Sequence, residues 1–274
     1  MTLKTRNQFI KTFLFASLAI VALNLITFLF ALKFGTILTP PDFRIPAFLS
    51  HIPFAKQSFI ALMISFAVII LYVPFCFFLL IRYFENTQTS EIIFFTGFLF
   101  ACLAETARFV TICLGLWQSF SNILIFMGNV VLFGRTLAPL SFLCAALLSE
   151  TVQRQDIERN YIIMTTVSVV FAAVIPMNTA RISSTGLVTE GFMSLINIMR
   201  FLLLATTVIS FFIQGIKKNS SEHKILALSA FITLLGYSML VSCDSFFFLI
   251  SGTLALLAGS YRYLLCLHKM YMWS

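Results

Sequence analysis

Charged side chains lie inside stretches of the chain that are otherwise suited to lipid. Glu105 and Arg108 lie in the stretch ACLAETARFV, and their spacing puts them on one face of a helix, within reach of each other. Arg135 and Arg200 lie in two further apolar stretches, and Asn197 precedes Arg200 on nearly the same face. Because charges at membrane depth are costly, ionisable residues there typically mark a ligand site or an ion pathway. We predict these five residues as a ligand-binding set.

The chemistry of this set has two interpretations. If one carboxylate and three guanidinium groups converge, the interior is net positive, which favours a water-filled cavity for a small anionic or lipidic ligand. If Glu105 instead bridges Arg108 and Arg135, those charges hide one another. Arg200 is then left alone, with a stem long enough to carry its charge to the membrane surface. The spacing leaves both open, although charges on successive apolar stretches favour contact between Glu105 and Arg135.

The composition indicates the environment of these charges. The chain has 274 residues, of which 60% are hydrophobic and only 10% charged. Soluble domains carry about 25% charged residues, so this chain lacks the polar surface that water requires. A bilayer is the solvent that suits it.

Eight apolar stretches are long enough to be spanning helices, which need about 20 residues each. The alternative count is seven, in which the last two stretches are misread, but Asp244 would then lie at high cost within one long helix. We therefore predict an all-α polytopic transmembrane bundle, a single transmembrane domain over residues 1–274. The predicted helices are 13–32, 58–81, 92–117, 123–148, 162–177, 192–216, 225–241 and 246–267.

The lysines and arginines predict the orientation. With a cytoplasmic N-terminus, eleven of them fall on the cytoplasmic side and four on the outer side, which follows the positive-inside rule. Both termini are then cytoplasmic. The net charge of +8 is an orientation signal, and nucleic-acid binding is not expected. The Pro-rich connection 33–57 falls outside, where we expect it to rest in the interface or to cap the bundle as a lid.

The motifs expected of an enzyme or a metal site are missing from the sequence. It holds no H-E-x-x-H, G-x-S-x-G, P-loop or G-x-G-x-x-G pattern. Its six cysteines show no C-x-x-C spacing and are expected to be small packing residues. We predict no catalytic activity, no cofactor and no metal.

The segment IRYFENTQTSEIIFFTGFLFACLAETARF has a basic helix end, a short polar turn and a helix with an embedded acid-x-x-Arg. In these features it resembles uncharacterised bacterial multi-helix membrane proteins and, loosely, the membrane-embedded input modules of bacterial sensors. The resemblance implies a location in the bacterial cytoplasmic (inner) membrane. Sensor modules feed an output domain, so it also implies a separate partner protein.

Three functions remain as hypotheses. The first is a binding or signalling module that senses a small anionic or lipidic ligand and acts through that partner. Its predicted contact surface is the connection SETVQRQDIERN, which contains the charged residues Glu150, Arg154, Asp156, Glu158 and Arg159. The second is a secondary transporter of an anionic or lipidic solute. The third is a structural subunit of a larger membrane complex, in which the charges pair between subunits.

Overall fold

The computed structural model describes residues 3–37, 39, 56–85, 87, 89–118, 121–148, 157–217 and 219–272, without the side chains of 179–181 and 272. Helices dominate these residues, and one short hairpin interrupts them. The elements are α1 Leu3–Phe34, α2 Phe59–Phe84, α3 Ser90–Ala104, α4 Thr106–Cys113, a 3-10 turn Leu116–Gln118, α5 Asn122–Leu147, α6 Ile157–Val174, β1 Met177–Ile182, β2 Val188–Glu190, α7 Met193–Lys217, α8 Ser221–Val241 and α9 Phe246–Met272.

The described residues contain eight helical segments long and apolar enough to cross a membrane, with α3 and α4 together forming one of them. This confirms the predicted all-α bundle and its count of eight. The seven-helix alternative is wrong, because α8 ends at Val241 and α9 begins at Phe246. Most predicted ends lie within a few residues of the observed ones, whereas α1 extends to Leu3, ten residues before its predicted start.

Two predictions for individual segments need correction. The third predicted helix, 92–117, is not continuous: α3 ends at Ala104, α4 begins at Thr106, and Glu105 is the residue between them. The fifth predicted helix, 162–177, ends earlier than predicted: α6 stops at Val174, and Met177 begins β1, which pairs antiparallel with β2. Gly186 provides the turn with φ +71°, a left-handed conformation that glycine adopts easily.

The connections gather at two opposite ends of the bundle. At one, Thr36 donates a hydrogen bond of 2.6 Å to the carbonyl of Cys113, and Ser58 N–H donates to the carbonyl of Asp244 at 2.9 Å. We call this the hairpin end. At the other, the terminal end, Arg6 donates to the carbonyl of Phe84 at 2.6 Å, and Tyr271 donates to Glu91 at 2.8 Å. Both ends of the described chain therefore lie on the same side of the bundle. Most of the predicted cap 33–57 lies outside the described residues.

The segment that carries Glu105 and Arg108 is the centre of the bundle. Of its most apolar 18-residue window, 89% is buried, against 11% for α1 and 17% for α6 and α7. The rings of Phe95 and Phe98 in α3 pack against each other and against Phe142 of α5, with centroids 5.0 to 6.0 Å apart. The charged pair thus faces protein and not lipid.

Helices α8 and α9 cross most closely, and two glycines allow this. A Cβ atom on Gly236 would lie 2.3 Å from the backbone nitrogen of Leu256, and one on Gly259 would lie 2.6 Å from that of Thr233. Such small residues let backbones approach within a membrane. Gly252 also packs against α8, since a Cβ atom on it would lie 3.0 Å from the Leu240 side chain.

Candidate functional site: a buried chain of ion pairs beside a cavity

Glu105 lies at the junction of α3 and α4, with only 1% of its surface exposed. Its backbone stays close to helical, at φ −66° and ψ −17°, and its N–H donates to the carbonyl of Cys102 at 3.3 Å. The junction is therefore a tightened turn, which places the carboxylate between neighbouring helices without leaving a backbone donor unpaired.

Three side chains converge on this carboxylate. Arg108 lies 3.2 Å from its Oε2 atom, and Nε of Arg135 donates to its Oε1 atom at 3.1 Å. The hydroxyl of Tyr237 donates to the same Oε1 at 3.4 Å. The predicted pair of Glu105 and Arg108 is confirmed, and so is the contact between Glu105 and Arg135. The interpretation in which Glu105 bridges two arginines is the one that the structure adopts.

In that interpretation we expected Arg200 to be unpaired and to extend its charge to the membrane surface, but it is ion-paired. Its Nη2 atom donates to Oε1 of Glu190 at 2.7 Å, and Arg135 lies 3.8 Å from the same oxygen. Glu190, which is 5% exposed, ends β2, so the hairpin carries its carboxylate back toward the helices. The ion pairs thus form one continuous chain, which runs Arg200, Glu190, Arg135, Glu105, Arg108. It links α7, the hairpin, α5, the junction between α3 and α4, and α4.

Sequence reasoning missed Glu190, because it lies in a polar connection and not in a spanning stretch. One signal was available. The connection from α6 to α7 is long for a turn, and it contains one acid, while the charged residues well inside the spanning stretches are three arginines and only one glutamate. With Glu190 included, three guanidinium groups face two carboxylates, and the chain of ion pairs keeps one excess positive charge.

Arg108 closes the chain at its inner end and is fully buried. It donates to the carbonyl of Val241, and its guanidinium carbon lies 4.7 Å from the centroid of the Phe66 ring. The ring face supplies a cation–π contact, which is stronger where water is excluded. The Nε and Nη2 atoms of Arg108 have no hydrogen-bond partner among the described protein residues.

A cavity of about 430 Å³ lies beside the outer half of this chain of ion pairs, at the hairpin end. Its walls come from α5, the hairpin, α7, α8 and the connection between α8 and α9. Arg135, Glu190 and Arg200 form one side, and the predicted residue Asn197 also lines it. Leu204 and Leu234 supply apolar wall. The cavity therefore combines charged groups with apolar surface, as small-molecule sites do.

Two buried atoms on this wall have no hydrogen-bond partner among the described residues. They are Nε of Arg200 and Oε2 of Glu190. Buried polar groups are nearly always hydrogen-bonded, so a donor and an acceptor left over at one cavity indicate a place for water or ligand.

Asp244 adds a second carboxylate to the cavity wall, in the connection between α8 and α9. Burial raises its pKa above the ordinary value of 3.8, and the hydroxyl of Ser184, which donates at 3.4 Å, opposes that shift. The hydrogen bond ties the hairpin to the end of α8.

The predicted partner-contact residues lie elsewhere. Glu158 and Arg159 begin α6 at the terminal end, and neither lines the cavity. Glu150, Arg154 and Asp156 lie outside the described residues.

The six cysteines form no disulfide bonds, and all but Cys144 are buried: Cys76, Cys102, Cys113, Cys144, Cys243 and Cys266. Within the described part of the chain, no group of His, Cys, Asp or Glu has the arrangement of a metal site.

Comparison with protein-family models, with curated proteins and with solved structures gives no match to this chain. Its function is therefore inferred from the cavity and from the chain of ion pairs.

Proposed function

We propose that the protein is a non-catalytic, multi-pass membrane binding module that takes a small anionic ligand into the cavity at the hairpin end. The observation that carries this proposal is that, within the described part of the chain, Arg200 has an unpaired donor at the cavity. Its side chain is 22% exposed, it lines the cavity, and its buried Nε has no partner among the described residues. A guanidinium group offers paired N–H donors that match a carboxylate or phosphate, so an anionic group can bind at Arg200.

The exposed guanidinium of Arg200 and the size of the site favour a small anion. The cavity wall carries Arg135 and Arg200 against Glu190 and Asp244, so its formal charges balance, and an anion would bind by taking the place of Glu190 at Arg200. The volume of about 430 Å³ falls in the usual range for small-molecule sites, roughly 300–1,000 Å³. Leu204 and Leu234 would contact an apolar part of the ligand. We expect a molecule with one anionic group and a short apolar body.

The chain of ion pairs gives ligand binding a route into the core. An anion at Arg200 competes with Glu190, which is then free to pair more closely with Arg135. Arg135 also holds Glu105, the residue between α3 and α4. A ligand shifts such an arrangement only as far as it binds one state better than another. We propose that the shift reaches a separate partner at the terminal end, where Glu158 and Arg159 begin α6.

The proposed location is the bacterial cytoplasmic membrane, with the terminal end inside and the hairpin end outside. The lysine and arginine distribution supports this orientation. The cavity at the hairpin end would then receive ligands from outside the cell.

Native mass spectrometry of the protein, gently extracted from its own membrane, tests the binding proposal. We expect a retained small mass that is lost in Arg200→Ala and kept in Lys217→Ala. The control removes a cation from an exposed position on the same helix. Loss of the mass in both variants, or its persistence in Arg200→Ala, contradicts the proposal. The proposal is also contradicted if the protein retains no small mass and if no member of a panel of small carboxylates and phosphates raises its melting temperature.

A secondary transporter is the second candidate, and the junction at Glu105 favours it. Interrupted spanning helices commonly surround transport sites, and here a charged residue lies at the interruption. Solute counterflow in proteoliposomes that is abolished by Arg135→Ala would favour transport. The third hypothesis, a structural subunit, gains no support from the charges, because the arginines and glutamates of the site pair within one chain.

A further inference from the structure

A second concave surface lies between α2 and α9, apart from the cavity just described. It is a groove of about 550 Å³ on the outer face of the bundle. Phe75, Leu79, Leu257 and Leu264 are among the apolar side chains that line it. None of the ion-paired residues contributes to it.

The polarity of the groove changes along its length. At its inner limit, the hydroxyls of Tyr72 and Ser260 hydrogen-bond to each other at 2.6 Å, so they satisfy one another. At the terminal end, the groove is bordered by Tyr83, His268 and Lys269, and Lys269 is exposed. The groove is thus apolar inside and carries a cationic, hydrogen-bonding border where the membrane surface would lie.

The border is positioned by packing. The His268 ring lies 5.6 Å from the ring of Phe84 and 6.3 Å from that of Tyr83, centroid to centroid. These edge contacts hold the imidazole at the groove. Lys269 follows it in the last turn of α9.

We propose that this groove binds one anionic phospholipid from the leaflet at the terminal end. One acyl chain lies between α2 and α9, and the phosphate contacts Lys269 and His268. Basic pockets between spanning helices near the membrane surface are the usual sites for anionic headgroups. The site is independent of the proposed ligand cavity.

The charge at the border favours a phospholipid over a helix of a second copy. Lys269 offers a cation and His268 a hydrogen-bonding ring at the level of the membrane surface, and both match the phosphate of a headgroup. From Leu257 to Lys269 the helical rise amounts to about 18 Å, so the apolar lining extends along several turns of α9, where one acyl chain would lie.

Native mass spectrometry after delipidation in detergent tests this proposal. The full chain is titrated with phosphatidylglycerol and, separately, with phosphatidylcholine of the same acyl chains. We expect one retained phosphatidylglycerol per chain, bound about tenfold more tightly than phosphatidylcholine. Lys269→Ala combined with His268→Ala should remove most of this preference, whereas Lys217→Ala, an exposed cation at the same end, should keep it.

A second variant tests the groove itself. Leu257→Trp fills the groove and should weaken binding of both lipids about fivefold or more, while thermal melting confirms that the chain is folded. Equal binding of the two lipids, or retention unchanged in both groove variants, overturns the proposal. A stable dimer that Leu257→Trp dissociates also overturns it, because a second copy is then the occupant.

Discussion

The Oε1 atom of Glu190 lies 2.7 Å from Nη2 of Arg200, and this contact joins the only hairpin among the described residues to α7. It places a carboxylate of the hairpin between Arg200, the outer end of the chain of ion pairs, and Arg135. The protein therefore neutralises most of its membrane-embedded cations with acids from two different structural contexts. One is the α3–α4 junction and the other is a β-hairpin.

We expect Glu105→Gln to be strongly destabilising, because it leaves Arg108 and Arg135 without their shared buried carboxylate. Breaking a buried ion pair from one side typically costs about 3–5 kcal/mol. Thermal and denaturant unfolding in detergent measure the change. Glu85→Gln is the matched control, since that carboxylate is 56% exposed and 3.8 Å from Lys11. Its loss should cost less than about 1 kcal/mol. Equal losses in the two variants would mean that Glu105 is not the centre of a stabilising cluster.

The double variant Glu105→Gln with Arg108→Gln should recover much of the stability lost in either single variant. Each single variant leaves the charge of the other residue buried without its partner, and the double variant removes that charge too. The coupling energy between residues in contact is about 0.5–3 kcal/mol. Recovery should be incomplete, because Arg135 still loses its 3.1 Å partner. Additive losses would show that the two residues do not interact.

A double-mutant cycle of Glu190→Gln and Arg200→Gln should give a coupling energy of about 0.5–3 kcal/mol, as for other residues in contact. The pair is partly exposed on the Arg200 side, so we expect a smaller value than for Glu105 and Arg108. The cycle is measured by unfolding in detergent. A coupling near zero would mean that the hairpin does not hold α7 through this contact.

Gly236→Ala should destabilise the contact between α8 and α9. Its new methyl group would lie 2.3 Å from the backbone nitrogen of Leu256, and backbone cannot move aside as a flexible side chain can. Overpacking of this kind costs about 1–3 kcal/mol. Gly128→Ala is the control, because its nearest atom is the Met177 sulfur at 3.4 Å. Thermal melting should separate the two variants, and equal melting temperatures would contradict the close crossing.

Stability should fall as pH rises through the range in which Asp244 ionises. Burial raises its pKa above 3.8, so the folded chain binds this proton more tightly than the unfolded chain does. The contribution is therefore present below the ordinary pKa and is lost as pH rises through the raised one. Melting of wild type and Asp244→Asn across acidic pH measures the difference. The stability of Asp244→Asn relative to wild type should increase with pH over that range, and a constant or opposite difference would refute the assignment.

The spanning helices were predictable because the hydropathy of a stretch depends only on its own residues and not on its contacts in the folded chain. Even the contact between Glu105 and Arg108 follows from helical spacing alone. The bounds were weaker where a helix continues past its apolar part, as α1 does to Leu3. They were weaker again where the chain leaves the helix, as it does before Met177 to form β1.

The site was only half predictable. Four of its residues can be recognised from the sequence because each is a charge in an apolar stretch: Glu105, Arg108, Arg135 and Arg200. Their grouping depends on Tyr237, 132 residues from Glu105, and on which face each helix turns toward its neighbours. No local pattern contains that information.

By itself, the sequence determined that this is a bundle of eight apolar helices with a few costly charges inside, because both properties are local sums over residue types. The tertiary structure decided which charges pair and where a cavity remains. It did so by folding a hairpin back so that Glu190 reaches Arg135 and Arg200. Coulombic attraction falls with distance and grows where water is excluded, so the role of each charge depends on neighbours that only the folded chain brings within a few ångströms.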